Sequence, residues 1–326
     1  MEVRQRGTNA VPIERAPPKY PKSAIYKGTE GWVLVSFVVN TDGSTRDIEI
    51  LDTSIADFFD KPSLGAVERW IYKPATLNGQ PVSQAKTNVR LVFTLEGSGG
   101  KVSRSFLRKY KTADRAIKNG DLEKAKKTID ILDARKQSVL AEVCYLDILK
   151  AMYWQKKGNE NEALHSYTRA LTIADDSASK EIYIIVLKQS FVLSVRQNFL
   201  VNALSNYETL LSVDGALPPD DPIRRVARQV QDYLDSDKPF SVQGKVWKSC
   251  KTCQESRPFW RHTLYRNRFS IDQIEGAISE FKLLCGFKYV TIAYAPGTSW
   301  NIEDDWGQCD IHVYGDVGSA FRLTEL

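Results

Sequence analysis

The stretch GWVLVSFVVNTDG, residues 31–43, decides how the first part of this chain folds. From Gly31 its side chains alternate: Val33, Val35, Phe37 and Val39 take one face, and Trp32, Leu34, Ser36 and Val38 the other, which is the period of a strand. Both faces are fairly apolar. Thr41-Asp42-Gly43 supplies turn residues that tolerate positive φ, and the returning run sets Ile48 and Ile50 on alternate positions, so a hairpin closes here. Leu64, Val67 and Ile71 then stand at i, i+3 and i+7, which predicts a helix that Lys73-Pro74 brings to a stop. After a turn at Asn78-Gly79, the run Asn88 to Leu95 predicts a third, half-exposed strand at the sheet edge. Val89, Leu91, Phe93 and Leu95 form its face toward the helix, and Asn88, Arg90, Val92 and Thr94 the opposite one. Gly97-Ser98-Gly99-Gly100 reads as a flexible linker.

Beyond the linker the period becomes helical. Ala125/Ile129/Leu132, Ala163/Tyr167/Ala170 and Ala203/Tyr207/Leu210 repeat one pattern at offsets of 38 and 40 residues. A small Ala lets paired helices approach while the larger residue fills the neighbour's groove, so the unit resembles a degenerate tetratricopeptide hairpin. Pro218-Pro219-Asp220-Asp221-Pro222 separates a last helix, with Asp221 as its cap. After Asp237 strands dominate: Val242 to Trp247, Phe259 to Phe269, Lys288 to Ala295 and Asp310 to Tyr314. Ile271, Ile274, Ile278 and Phe281 keep helical spacing, but Phe281, Leu283 and Cys285 alternate and Gly276 is poor in a helix, which favours a strand over Ile278 to Cys285.

Composition bounds the function. With 326 residues, 42% hydrophobic and 26% charged, the chain is globular and large enough for two or three domains. No apolar run approaches the length of a spanning helix, and the first residues lack the apolar core of a secretory signal. The protein is therefore expected to be cytosolic or to have lost an export segment. The net charge of +5 divides as +1, +3 and +1 over residues 1–98, 99–237 and 238–326, with acids and bases interleaved, so nucleic acid is set aside as a partner.

Four of the five cysteines, Cys250, Cys253, Cys285 and Cys309, crowd into the last 77 residues. Disulfides are favoured there over zinc, because a ribbon needs a second close pair. Cys250 with Cys253 and Cys285 with Cys309 is the first choice among three possible pairings. Of the histidines, His165, His262 and His312, none forms a metal-ligand pair, and no Gly-rich phosphate loop follows a strand. Asp304-Asp305 beside Trp300 and Trp306 reads as a solvated turn. The chain is expected to be no enzyme and to need no cofactor or metal.

Pro17, Tyr20-Pro21, Ala24, Gly28, Glu30-Gly31, Val33, Val35, Phe37, Asp42-Gly43, Ala66, Arg69-Trp70, Tyr72, Pro74-Ala75, Asn78-Gly79, Pro81-Val82 and Phe93 stand in the order and spacing of the TonB C-terminal domain family. The resemblance covers about residues 15–97. Each signature also has a local reading: Tyr20-Pro21 opens a short helix, Asp42-Gly43 turns the hairpin, and Trp70 with Tyr72 anchors the helix end on the sheet.

The expected architecture is α+β: a TonB-like antiparallel sheet with helices over 1–98, helical repeats over 99–237, and a small β-rich domain over 238–326. The resemblance implies a periplasmic module that grips an extended segment of an outer-membrane receptor by strand addition. The binding residues are then Asn88, Val89, Arg90, Leu91, Val92, Phe93, Thr94 and Leu95, with Tyr20 and Pro21. It also implies coupling to a proton-driven inner-membrane motor, for which the family's anchoring helix and long Pro-rich spacer are absent from this sequence. The rival expectation is a soluble periplasmic scaffold whose helical repeats hold the main partner.

Overall fold

The computed structural model describes residues 7–96, 102–135, 138–248 and 257–326. The glycine linker at 97–100 and the Cys250–Cys253 pair lie outside them. In chain order the elements are β1 (Gly7–Thr8), β2 (Val11–Glu14), α1 (Lys22–Lys27), β3 (Gly31–Val39), β4 (Thr45–Thr53), α2 (Ala56–Val67), β5 (Ile71–Lys73), β6 (Ala75–Leu77), β7 (Gln80–Val82) and β8 (Gln84–Phe93). The helices α3 (Arg104–Lys118), α4 (Leu122–Asp133), α5 (Leu140–Lys157), α6 (Glu160–Ser177), α7 (Lys180–Arg196), α8 (Leu200–Ser212) and α9 (Pro222–Leu234) follow. The chain ends in β9 (Phe240–Lys245), β10 (Phe259–Thr263), β11 (Arg268–Glu275), β12 (Ile278–Cys285), β13 (Tyr289–Ala293), β14 (Ser299–Asn301), β15 (Cys309–Gly315) and β16 (Ala320–Glu325). Two compact units result: residues 1–20, 33–91 and 236–326 form the first, and residues 21–32 and 92–235 the second.

In the first unit, β3 and β4 form the expected hairpin, and the sheet order is β4-β3-β8. Gly43 is required at the turn: its φ is +85°, and a Cβ there would lie 1.9 Å from the Tyr72 carbonyl oxygen. Its own carbonyl accepts from the Tyr72 N–H at 2.9 Å. α2 buries Phe59, Ser63, Ala66 and Val67, and the Thr45 hydroxyl donates to the Val67 carbonyl at its end. The expected helical stripe through Ile71 is corrected here, since the helix stops at Val67 and Ile71 begins β5, where it is 42% exposed and opposite Glu14. Pairing with β2 offers the Ile71 backbone the ladder that a further helical turn would have removed.

The C-terminal strands of this unit build two four-stranded sheets, β10-β15-β12-β13 and β14-β11-β16-β9. They face each other through Trp260 against Phe321 (5.1 Å between ring centroids) and Phe269 against Phe281 (5.5 Å). Between them the fully buried His262 and Glu325 side chains meet at 2.9 Å, and the second Glu325 oxygen accepts from the Tyr265 and Arg266 N–H groups. A buried carboxylate held by three such groups leaves little polar surface unsatisfied. The ambiguous stretch is strand as expected, with β11 and β12 joined through Gly276. Phe259 to Phe269, read as one strand, divides into β10 and β11.

Cys285 and Cys309 are direct partners across β12 and β15 and form a disulfide. Cys144 is a free, buried thiol whose pKa burial pushes up to about 12. Alkylating the folded protein without reductant at pH 8 is therefore expected to leave Cys285, Cys309 and Cys144 unmodified, with Cys144 alone of the three becoming reactive on unfolding. Mass spectrometry of peptides from the two samples checks this, and alkylated Cys285 or Cys309 in protein from its native compartment would refute it.

The second unit is mainly helical. Short connections join α3 to α4, α5 to α6 and α7 to α8 as helical hairpins. Ala125, Ala163 and Ala203 fall on the second helix of each hairpin and are all 0% exposed. The cap of α5 is remote in sequence: Glu30, 2% exposed, accepts the Leu140 N–H at 3.0 Å with one oxygen and the Leu95 N–H at 2.9 Å with the other. The family-pattern residue Glu30 thus puts a carboxylate at a helix N-terminus, where the dipole favours it. Trp32, also buried, carries the Arg169 guanidinium over its ring at 5.3 Å. Among the described residues, no helix is long and apolar enough to cross a membrane.

Candidate protein-binding edge

β8 stands at the end of its sheet with β3 on one flank, and among the described residues no strand is assigned to the other. Its inward side is confirmed at Leu91 (8% exposed) and Phe93 (2%), while Val92 is 39% exposed. Val89 and Leu95 are half-buried. The strand begins four residues earlier than expected and ends at Phe93, so Thr94 and Leu95 follow it, and the Leu95 N–H is held by Glu30. Tyr20 meets Phe59 edge-on at 5.9 Å, and the Pro21 carbonyl accepts from Ala24 and Ile25 to start α1. Those two residues therefore serve the fold locally.

The N-terminal segment forms its ladders elsewhere and meets β8 through the first residue of that strand, where the Gln84 side chain accepts the Ala10 N–H at 2.6 Å. β1 pairs with β6 and β2 with β5. Arg15 secures it: the guanidinium lies 5.2 Å from the Trp70 ring and 5.1 Å from the Tyr72 ring, and Nε donates to the Tyr72 hydroxyl at 2.7 Å. The Trp70 indole N–H donates to the Ala16 carbonyl at 2.8 Å, and Phe37 packs on both rings. This clasp is the physical content of the Trp70 and Tyr72 signature.

The sheet has a second cover that the sequence reading missed. Leu34 and Leu51 pack with Phe259 and Tyr314, and Val38 and Ala85 with Leu284 and Tyr289, so the C-terminal strands lie on the face opposite Val33, Val35 and Phe37. The signal was present in β3, whose two apolar faces require burial on both sides. At the centre of this contact Glu49 accepts from Lys282 Nζ at 2.7 Å and the Tyr314 hydroxyl at 2.6 Å, with His312 Nδ1 at 3.2 Å.

Burial alone raises the Glu49 pKa, but the hydrogen bond and charge of His312, then those of Lys282, outweigh it and hold the carboxyl at about 2. Because the folded value lies below the ordinary 4.5, the ionised group stabilises the fold fully above pH 4.5, and that contribution is lost as pH falls toward about 2. We expect Glu49→Gln to cost about 3 kcal/mol at pH 6, taking 1.36 kcal/mol per pKa unit. The difference from the parent protein should shrink steadily below pH 4.5. Urea midpoints measured from pH 6 to pH 2 check this, and a pH-independent difference would contradict it.

A sheet of order β4-β3-β8, a clasped N-terminal segment and a helix packed on the hairpin define the class: a small α+β domain in which β8 is an end strand. Residues 16–95 match the family described as the Gram-negative bacterial TonB protein C-terminal, and this part of the chain is a domain of that family. Protein TonB of Pseudomonas aeruginosa is 32% identical over 78 residues, which is 24% of this chain and 23% of the relative. Protein TonB of Escherichia coli is 33% identical over 86 residues, 26% and 34% of the two chains. The solution structure of the Pseudomonas aeruginosa TonB C-terminal domain has 29% identity and a TM-score of 0.25, covering 27% of this chain and 89% of that one. The matched stretch is thus about a third or less of each curated relative.

Proposed function

We propose that this protein works in the bacterial envelope by capturing an extended segment of an outer-membrane receptor, or of another envelope partner, through strand addition to β8, in energy-dependent transport across the outer membrane. The observation that supports the reading is the place of β8 at the end of its sheet, with the chain's own N-terminal strands committed to β5 and β6. An incoming extended chain gains main-chain hydrogen bonds at such an edge, with specificity left to alternate side chains. A periplasmic location accords with the Cys285–Cys309 disulfide, since such bonds persist in oxidising compartments. A second reading rests on the helical hairpins of the second unit: if they act as tetratricopeptide-like repeats, the protein is a periplasmic adaptor and the TonB-like domain docks it. The gene sequence upstream of residue 1 bears on the choice, a spanning segment with a Pro-rich spacer favouring transduction.

Amide exchange tests the edge. On adding a plug peptide from a TonB-dependent receptor, residues 88–95 should gain protection. If these amides are already protected in the free monomer and gain nothing with peptide, β8 is not the binding site.

A further inference from the structure

α3 carries an unbalanced charge that regional sums conceal. Its residues Arg104–Lys118 hold six cations against the single acid Asp114. Five of the cations, Arg104, Arg108, Lys111, Arg115 and Lys118, are exposed and stand at i, i+4, i+7, i+11 and i+14. At 100° per residue they occupy one arc of about 80°, and at 1.5 Å per residue they form a row about 21 Å long. The opposite side of the helix, Phe106, Ala113, Ala116 and Ile117, is buried, so packing fixes which way the row faces. Asp114 accepts from Lys118 at 2.8 Å. Among the described residues, no carboxylate forms an ion pair with Arg104, Arg108, Lys111 or Arg115. Leu107 flanks the row and is 43% exposed.

We infer that this face of α3 docks the protein on a bilayer surface of anionic phospholipid. The partner's chemistry follows from three features. The row has one sign and only its last member, Lys118, meets an acid, so its charge is complementary to a dense negative surface. Three of its members are arginines, whose guanidinium forks match phosphate oxygens better than a lysine ammonium does. It lies on the exposed face of α3, opposite the buried Phe106, Ala113, Ala116 and Ile117, and such a line of charge can lie along a plane of headgroups, whereas an acidic peptide is normally held in a groove or on a strand edge. Leu107 adds an apolar side chain at the level where it meets the interface. This surface belongs to the helical unit and is independent of strand addition at β8.

Flotation of the full chain with vesicles tests the inference. Binding to vesicles of phosphatidylcholine with phosphatidylglycerol is expected, with none to phosphatidylcholine alone and steep weakening between 50 and 200 mM salt, on the order seen for multivalent charge contacts. Removing one such cation weakens surface binding about fivefold, so the joint variant Arg104→Glu, Arg108→Glu, Lys111→Glu and Arg115→Glu should lose more than ~100-fold. Circular dichroism of that variant should be unchanged, because all four side chains are exposed. Arg225→Glu with Arg228→Glu, on α9, should lose far less. The inference is overturned if the full chain ignores phosphatidylglycerol, if the α3 variant binds as the parent does, or if the α9 reversals cost as much. Binding to polyglutamate or RNA in preference to the vesicles would equally overturn it.

Discussion

Proline introduced in turn at Arg90, Leu91 and Val92 is expected to separate binding from folding within β8. In an antiparallel strand the N–H groups of successive residues point to opposite flanks, so these three positions must include both orientations. Where the N–H faces β3, proline removes a ladder bond and should cost roughly 3 kcal/mol of stability, and at Leu91, which is 8% exposed, the lost side-chain burial adds to the cost in either orientation. Where the N–H faces outward the ladder to β3 is kept, yet a receptor plug peptide should bind more than about 100-fold more weakly. That figure corresponds to about 3 kcal/mol from a lost donor together with the ring's obstruction of an incoming strand. Alanine at Arg90 or Thr94 should change affinity by only about threefold, since main-chain bonds supply most of the energy of strand addition. Calorimetric titration beside a urea melt reads both quantities. Full binding by every folded proline variant would place the ligand elsewhere.

Arginine at Ala163 is expected to abolish the cooperative unfolding of the helical unit. Ala163 is 0% exposed on α6, which packs against both α5 and α7. An arginine there overfills a close helix contact and takes a charge out of water, at a cost of about 4 kcal/mol or more. That is a large share of the stability of an ordinary domain. Glu162→Arg is the matched control: the adjacent position is exposed, and the change should stay within roughly 0.5 kcal/mol. Far-UV circular dichroism during thermal unfolding distinguishes them, and an unchanged transition for Ala163→Arg would show that the hairpins are not packed through this residue.

The two predictions differ in how far the sequence by itself carries them. The repeated Ala positions were legible because a helix that must approach another closely needs a small residue at the crossing, and the residue type records that need locally. The β3–β4 hairpin was legible for a similar reason: alternation over residues 31–39 and the Asp42-Gly43 turn are local constraints, and the near contact of Gly43 with the Tyr72 carbonyl only adds to them. The order of the TonB-type signatures identified the domain because it joins many such constraints. The stop of α2 at Val67 was not legible, since Ile71 fits the helical period and only its pairing opposite Glu14 draws it into a strand.

Partners far apart in the chain were decided by tertiary structure alone. Glu30 finds Leu140, and Glu49 finds Lys282, His312 and Tyr314, because folding brings a carboxylate to donors that no local pattern marks. The apolar double face of β3 announced that something covers the sheet on both sides, but not that the C-terminal strands do so. The basic row of α3 lies between these cases: its spacing is written in residues 104–118, yet it becomes a surface only because packing buries Phe106, Ala113, Ala116 and Ile117 and turns the cations outward. Periodicity fixes what each segment must bury, and the global arrangement chooses against what, because burial free energy is non-directional and a buried charge is stable only where its partners converge.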